Sequence, residues 1–121
     1  MWEIGWTTYF EQWILSDEVD AAAREDIRAA LVVLRTVGPS LGRPLADTLK
    51  GSCHTNLKEL RVQSKGRPFR ILYAFDPKRK AILLAGGNKQ GNKRFYDVVI
   101  PLADRLYAEH LRSMGHEKDN S

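Results

Sequence analysis

The sequence has little cysteine and no long apolar segment. Cys53 is the one cysteine in 121 residues, so an intrachain disulfide and a multi-cysteine metal site are excluded. No apolar run approaches the roughly 20 residues that are needed to cross a bilayer. The N-terminus, MWEIGW, lacks the basic stretch and the apolar run of a signal peptide. We therefore expect a soluble cytoplasmic protein with no membrane contact.

Acidic residues are scarce in one part of the chain. The segment from Lys50 to Arg94 contains twelve basic residues and only two acidic ones, Glu59 and Asp76, which gives a net charge of +10. The other residues include seven basic and thirteen acidic side chains, a net charge of −6. This asymmetry favours binding of an anion, although lysines on a solvated sheet surface would give a similar composition. The lack of acids disfavours glycosidases and magnesium nucleases.

The segment AGGNKQGNKRFY, residues 85–96, resembles a phosphate loop but lacks its spacing. Gly86 and Gly91 have the P-loop separation, yet Asn92 stands where that motif needs lysine. No serine or threonine follows Lys93, and no βαβ unit is present to support a dinucleotide site. A bound nucleotide is therefore not expected.

Metal ligands and hydrolase motifs are also missing from the sequence pattern. His54, His110 and His116 are scattered, and Cys53 is merely adjacent to His54. No nucleophile elbow occurs. We expect no metal ion and no other cofactor.

The periodicity predicts a single α+β domain over residues 1–114 and a polar, disordered tail over 115–121. A turn-rich connector without strong periodicity, GPSLGRPLADTLKGS, separates the helical part from the strands. The predicted elements are a strand over WEIGW, a short helix over YFEQWIL, a helix capped by Ser16 or Asp17 that ends near Val37, strands over NLKELRVQ, PFRILYAF and AILLAG, and a helix over IPLADRLYAEHLRSM with Pro101 in its first turn.

Polar turns join the three later strands, so the simplest topology is an antiparallel meander. The alternation places Phe69 and Tyr73 on one face of the second of these strands and Arg70 on the other. Arg61 and Arg70 then lie on adjacent strands. In the last helix, the residues expected to face the core are Leu102, Leu106, Leu111 and Met114. The residues expected to flank them are Ala103, Tyr107 and His110.

The basic residues of this sheet suit the chemistry of a phosphate group. Guanidinium groups bind phosphate through two donors and neutralise charge that grows in a transition state. RNA supplies its own nucleophile, the 2′-hydroxyl, so a protein needs only to orient it and move protons. A lysine with a lowered pKa could be the base, and a tyrosine or arginine could assist proton transfer. Structural ion pairs are the alternative role for these arginines.

Several segments resemble the RelE/ParE toxin superfamily, and within it the HigB-like, phage-protein-related branch. They are LKGSCHTNLKELR, RILYAFDP and GGNKQGNKRFYDVVIPLADRLYAEHL, and the likeness covers nearly the whole chain. The resemblance implies a compact RelE-like fold, with an antiparallel sheet, two N-terminal helices and a C-terminal helix. It also implies a type II toxin that is a ribosome-dependent, metal-independent mRNA endonuclease, an mRNA interferase that inhibits translation.

The basic charge of the sheet and the resemblance together predict site residues and partners. The residues predicted to be catalytic are Arg70, Lys89, Lys93 and Tyr96. The residues predicted to bind RNA phosphates are Lys58, Arg61, Arg67 and Arg94. The expected partners are the ribosome, mRNA and a co-encoded antitoxin of helix-turn-helix type, which would offer an acidic contact segment to the basic sheet.

Two other functions stay open at this point. A ParE-like protein inhibits DNA gyrase, or another protein target, without RNA chemistry. A decayed phage protein would have no toxicity at all.

Overall fold

The computed structural model describes residues 1–119, with side chains to Gly115. It contains three α-helices, a short 3-10 helix and five strands. Their bounds are β1 (Ile4–Trp6), α1 (Thr8–Ile14), α2 (Ala21–Val37), the 3-10 helix (Gly38–Ser40), β2 (Ala46–Thr48), β3 (Lys58–Ser64), β4 (Arg67–Phe75), β5 (Ala81–Asn88) and α3 (Phe95–Asp119).

The five strands form one sheet in the order β1-β5-β4-β3-β2. Strands β3, β4 and β5 form the predicted antiparallel meander, and β2 adds antiparallel to β3. Strand β1 pairs with β5 in parallel, so the sheet is mixed and the prediction of a wholly antiparallel sheet is wrong in this respect. The α+β class itself is confirmed. Strand β2 lies inside the segment that was predicted to be a connector.

Helices cover both faces of the sheet. Helices α1 and α2 pack on the face that carries Phe69, Ile71 and Tyr73, and α3 packs on the face that carries Leu72 and Ala74. The alternation along β4 therefore agrees with the sequence pattern, because successive side chains of a strand lie on opposite faces. All five of these residues are fully buried.

Helix α2 begins later than predicted. Its N-cap is Asp20, whose carboxylate accepts a hydrogen bond from the Ala23 amide at 2.9 Å, and not Ser16 or Asp17. Ser16 instead bonds to the Trp13 carbonyl at 2.7 Å, after α1 has ended. Both residue types can cap a helix, so the sequence alone did not distinguish between them. The predicted end at Val37 is confirmed.

Helix α3 begins earlier than predicted. It starts at Phe95, and Pro101 lies inside it instead of in its first turn. An interior proline costs about 3 kcal/mol, but the first turns also bury Phe95, Val99 and Ile100 against the sheet. Each such side chain contributes about 1.5–3 kcal/mol when fully buried. Burial therefore outweighs the proline penalty.

The buried stripe of α3 is rotated relative to the predicted one. Ala103 and Tyr107, which were expected to flank the core, are fully or almost fully buried. Leu102, Leu106 and Leu111, which were expected to be central, are only partly buried and pack at the margin of the core. The rotation follows from the earlier start of the helix, which places the Phe95 turn on the sheet.

Helix α3 continues to Asp119, past Met114, where the predicted tail begins. The side chains of residues 116–119, and residues 120–121 entirely, lie outside the described part of the chain. The predicted boundary between domain and tail therefore stays a prediction. None of the helices within residues 1–119 is long and apolar enough to cross a membrane.

Candidate functional site

A buried carboxylate in β3 lies at the centre of the basic region. Glu59 is only 4% exposed. The Tyr96 hydroxyl donates to its Oε1 at 2.6 Å, and Arg61 Nε donates to its Oε2 at 3.2 Å. Arg70 Nε lies 3.6 Å from Oε1, which is within ion-pair range but beyond hydrogen-bond distance. We refer to Glu59, Arg61, Arg70, Tyr96 and the adjacent Lys89 as the Glu59 cluster.

The register of the sheet brings the two arginines together. Arg61 and Arg70 lie on the adjacent strands β3 and β4, as predicted, and the register places them directly opposite each other. Glu59 shares their face of the sheet because it is two residues from Arg61. Gly87 in β5 lies opposite Arg70. A Cβ at Gly87 would lie 2.7 Å from the Phe95 ring, so the missing side chain lets α3 approach the sheet there.

The close approach of α3 places the Tyr96 hydroxyl beside Glu59. Burial raises the pKa of the Tyr96 hydroxyl, and the hydrogen bond from it to Glu59 and the charge of that carboxylate raise the pKa further, whereas Arg70 lowers it. Tyr96 is therefore a neutral phenol that donates its proton to Glu59. Lys89 Nζ lies 5.7 Å from the centroid of the Tyr96 ring, a cation–π distance.

A second carboxylate extends the cluster to β2. Asp47 lies opposite Glu59 in the β2–β3 register. Its Oδ2 accepts from Arg43 Nε at 2.9 Å and lies 3.4 Å from Arg61 Nη2. The hydrogen bond from Arg43 is the main cause of the lowered pKa of Asp47. Arg61 therefore lies between two carboxylates that belong to neighbouring strands.

The charges of this region leave an excess of cations. Three arginines, Arg43, Arg61 and Arg70, share two carboxylates, Asp47 and Glu59. Lys89 adds a fourth positive charge beside the Tyr96 ring. The arginines do form ion pairs, but both Arg61 and Arg70 depend on Glu59. The side chain of Arg61 is 36% exposed and that of Arg70 only 12%. Arg61 is therefore the more accessible of the two for an incoming phosphate.

Two of the predicted phosphate-binding residues lie away from the cluster. Lys58 and Arg67 belong to the other face of the sheet, which α1 and α2 cover. Lys58 Nζ donates to the Pro39 carbonyl at 2.9 Å. Arg67 Nη2 donates to Asp20 at 3.0 Å, and its guanidinium lies over the Phe69 ring. Both have structural partners there, and the structure does not bring them to the Glu59 cluster.

Lys93 and Arg94 lie next to the cluster in sequence but are exposed. The nearest carboxylate to Arg94 is that of Asp97, 4.0 Å from its Nε, and the Arg94 side chain is 84% exposed. They belong to the connection between β5 and α3, where Gly91 has a φ of 67°. Their predicted roles stay predictions, and their exposure would allow contact with a ligand at the surface.

The three glycines of the segment AGGNKQGNKRFY have two different roles. Gly86 and Gly87 are strand residues of β5, and they make room for side chains instead of forming a turn. A Cβ at Gly86 would lie 2.4 Å from the Trp13 ring. Only Gly91 has the left-handed backbone that a tight turn requires.

Sequence reasoning missed the central position of Glu59 and the contribution of Arg43 and Asp47. Glu59 is two residues from Arg61 in the sequence, a spacing that puts two strand residues on one face, and the two side chains form an ion pair. Arg43 and Asp47 were hidden because β2 was not recognised as a strand.

Comparison with known proteins identifies the family. Residues 15–108 match the family described as phage derived protein Gp49-like (DUF891). This match covers more than half of the chain. The chain belongs to the Gp49-like family. The phage-protein-related resemblance that the sequence motifs indicated is thereby confirmed.

Two proteins of Mycobacterium tuberculosis are similar to this Gp49-like chain. A protein named "Putative toxin HigB2" is 49% identical over 120 residues, which are 95% of this chain and 59% of the relative. A protein named "Putative toxin HigB3" is 48% identical over 104 residues, 85% of this chain and 88% of the relative. This chain thus spans less than two thirds of the first relative and most of the second.

Proposed function

We propose that this protein is the toxin of a type II toxin–antitoxin system and that it cleaves mRNA on the ribosome. The names of its two relatives support the toxin assignment. The observation that carries the endonuclease assignment is the buried Glu59, held between two arginines and a tyrosine in a region with excess positive charge. We also propose that the protein acts in the cytoplasm.

Binding of RNA would begin at the exposed cations. A scissile phosphate approaching Arg61 and Lys89 exchanges its counterions for protein cations, which gives sequence-independent affinity. Arg70, which is held by its Nη1 donation to the Phe69 carbonyl at 3.0 Å, supplies fixed positive charge behind Arg61. Preorganised charge of this kind stabilises the dianionic phosphorane more than the ground state.

Cleavage then requires two proton transfers. Glu59 is the one carboxylate among the described side chains that pairs with both Arg61 and Arg70. We assign it as the base that takes the proton of the 2′-hydroxyl. The 2′-oxygen attacks the adjacent phosphorus, and the bond from phosphorus to the 5′-oxygen breaks. Tyr96 gives its proton to that leaving oxygen. The products are a 2′,3′-cyclic phosphate and a 5′-hydroxyl, and no metal ion takes part in these steps.

This assignment changes the roles inferred from the sequence. A lysine was one candidate for the base. We assign Glu59 instead, because Glu59 contacts Tyr96 and Arg61, whereas Lys89 Nζ lies at a cation–π distance from the Tyr96 ring. Lys89 then contributes charge. Lys93 and Arg94 stay candidates for RNA contact beyond the cluster.

The excess positive charge around the Glu59 cluster also suits an acidic protein partner. An antitoxin with an acidic segment would neutralise the Glu59 cluster and compete with RNA for it. The expected antitoxin is a helix-turn-helix protein encoded beside the toxin.

Induced expression in a bacterial host tests the proposed function. Wild-type protein should halt growth, and mapped RNA 5′ ends should accumulate inside translated codons. Arg61→Ala and Arg70→Ala should each relieve the growth arrest and remove those ends. Arg28→Ala is the matched control, because Arg28 is exposed on α2 and pairs only with Glu25, and it should stay toxic.

Three outcomes would contradict the proposal. Growth arrest with broken DNA and unchanged RNA ends would favour the gyrase alternative. No growth effect from soluble wild-type protein would favour a decayed phage protein. Full toxicity of both cluster variants would show that the Glu59 cluster is not the active site.

A further inference from the structure

A cysteine, a histidine and a carboxylate meet where the β2–β3 loop contacts α3. Cys53 and His54 belong to that loop, and Asp104 belongs to α3. One ligand atom from each of the three residues lies within 4.8 Å of the other two. None of these residues belongs to the Glu59 cluster, and the proposed function assigns them no role.

We propose that Cys53, His54 and Asp104 form a binding site for a divalent transition metal ion, with Zn²⁺ as the best match. Thiolate, imidazole and carboxylate are the three ligand types that zinc takes in proteins. Magnesium and calcium prefer oxygen ligands alone, so the sulfur and nitrogen disfavour them. This site was not expected from the sequence, in which Cys53 and His54 are neighbours and Asp104 is remote.

The spacing of the ligand atoms suits an ion of this size. Bonds of 2.0–2.3 Å in a tetrahedral arrangement put ligand atoms about 3.5 Å apart. The three ligand atoms lie within 4.8 Å of one another, and rotation of the exposed Cys53 side chain would bring them to this spacing. Three protein ligands leave a fourth position for water, which is typical of an open zinc site.

His54 provides an independent reason for a ligand here. Its Nε2 is buried and has no hydrogen-bond partner within the described part of the chain. Buried polar atoms without partners are rare, and a bound ion or water is a common explanation. The ring is held edge-on against Tyr107, with 4.9 Å between the centroids. The imidazole is thus fixed in place.

The loop also holds the carboxylate in position. The Ser52 hydroxyl donates to Asp104 Oδ1 at 2.5 Å, and the Cys53 amide donates to Oδ2 at 3.2 Å. Hydrogen bonds to a ligating carboxylate orient it for a metal ion. Desolvation and the adjacent Asp104 raise the pKa of the Cys53 thiol. That environment disfavours a nucleophilic thiolate, whereas a divalent cation would reverse the effect and deprotonate the thiol.

An ion at this site would fasten the β2–β3 loop to α3. The loop leads directly into β3, which carries Glu59 and Arg61. Metal binding would therefore stabilise the folded chain through mass action. It would also release the thiol proton, so the affinity should increase with pH.

The test is a titration of the full-length, untagged protein with Zn²⁺ against a chromophoric chelator. We expect one ion per chain and a rise in Tm on Zn²⁺ addition. Co²⁺ should give a thiolate-to-cobalt charge-transfer band. Cys53→Ser should abolish the band, and Cys53→Ser and His54→Ala should each weaken Zn²⁺ binding by at least about 100-fold.

His110→Ala is the matched control, because His110 also contacts the Tyr107 ring but is not one of the three ligands. It should keep the wild-type affinity. The thiol is exposed, so Cys53→Ser should fold with an unchanged Tm in the absence of metal. No Zn²⁺ binding by the wild type, or equal binding by Cys53→Ser, would overturn the proposal.

Discussion

At the scale of single residues, Glu59 determines how the basic sheet is arranged. A carboxylate this deeply buried is stable only with donors around it, and Tyr96 and Arg61 supply them. Removing one of these donors leaves the Glu59 carboxylate buried without a full set of hydrogen bonds. The resulting loss of folding stability is larger than that for an ordinary hydrogen bond. Glu59 therefore ties β3 to the start of α3.

Tyr96→Phe tests this coupling through stability. Loss of the donor to a buried charged group should lower the free energy of unfolding by about 1.5–3 kcal/mol. Urea denaturation of the two proteins measures it. Tyr9→Phe is the control, because Tyr9 is 44% exposed, and it should change stability little. An unchanged midpoint for Tyr96→Phe would show that Glu59 does not depend on the hydroxyl.

Asp20 gives a prediction about pH. Its hydrogen bond with Arg67 is the main cause of its pKa being lowered from 3.8 to about 2. Because the folded-state value lies below the unfolded one, the stabilisation is complete above about pH 4 and is lost as the pH falls toward 2. Asp20→Asn keeps an N-cap residue but loses this charge. Wild-type stability should thus fall more steeply than that of Asp20→Asn between pH 4 and 2. Parallel profiles of stability against pH for the two proteins would contradict this prediction.

At the scale of elements, the position of α3 decides whether Tyr96 reaches Glu59. Gly86 and Gly87 make this possible, since α1 and α3 each press an aromatic ring onto the strand at these positions. Gly86 was predicted to end the strand AILLAG, but the sequence did not indicate that either glycine makes room for an aromatic ring. Their role depends on what packs on β5 from either side, and local sequence carries little information about that.

Gly87→Ala tests the fit between α3 and β5. The added methyl would meet the Phe95 ring at 2.7 Å. Overpacking of this kind costs typically 1–3 kcal/mol, and we expect thermal unfolding at a lower temperature together with reduced toxicity. Gly42→Ala is the control, because the nearest atom to its added methyl is 4.0 Å away and its backbone is unstrained. Equal melting temperatures for the two variants would contradict the account.

Among the elements, the long strands were predictable from the sequence, whereas the short strand β2 and the position of α3 were not. The alternation along β4 and the polar turns between the strands predicted the face of Arg70 and the position of Arg61 and Arg70 on adjacent strands. Strand β2 has three residues and no alternation to detect, so it exists only through its pairing with β3. The contact of Tyr96 with Glu59 depends on where α3 crosses the sheet, and Pro101 misled the assignment of that helix.

At the scale of the whole molecule, the uneven charge distribution supports binding of a polyanion. Residues 50–94 carry a net charge of +10, and the rest of the chain carries −6. Such a distribution speeds encounter with an anion and makes affinity depend strongly on salt. Acidic residues in α2, by contrast, lie on the opposite side of the sheet from the Glu59 cluster.

Salt dependence of RNA binding tests the role of the cluster cations. The logarithm of the affinity for a single-stranded RNA should fall linearly with the logarithm of the salt concentration. Lys89→Ala should weaken binding and reduce the slope by about 0.7, the contribution of one phosphate contact on a single strand. Arg28→Ala should leave the slope unchanged. An unchanged slope for Lys89→Ala would remove Lys89 from the RNA interface.

The central claim is that Glu59 is the base of an RNA-cleaving site, and one rate measurement tests it most directly. Single-turnover cleavage of mRNA on programmed ribosomes should be compared for wild type and Glu59→Gln, with folding of the variant checked by circular dichroism. The change keeps the size of the side chain and removes its charge. The account predicts a rate at least about 100-fold lower in the variant, the usual contribution of a general base. A folded Glu59→Gln protein that cleaves at the wild-type rate would contradict it.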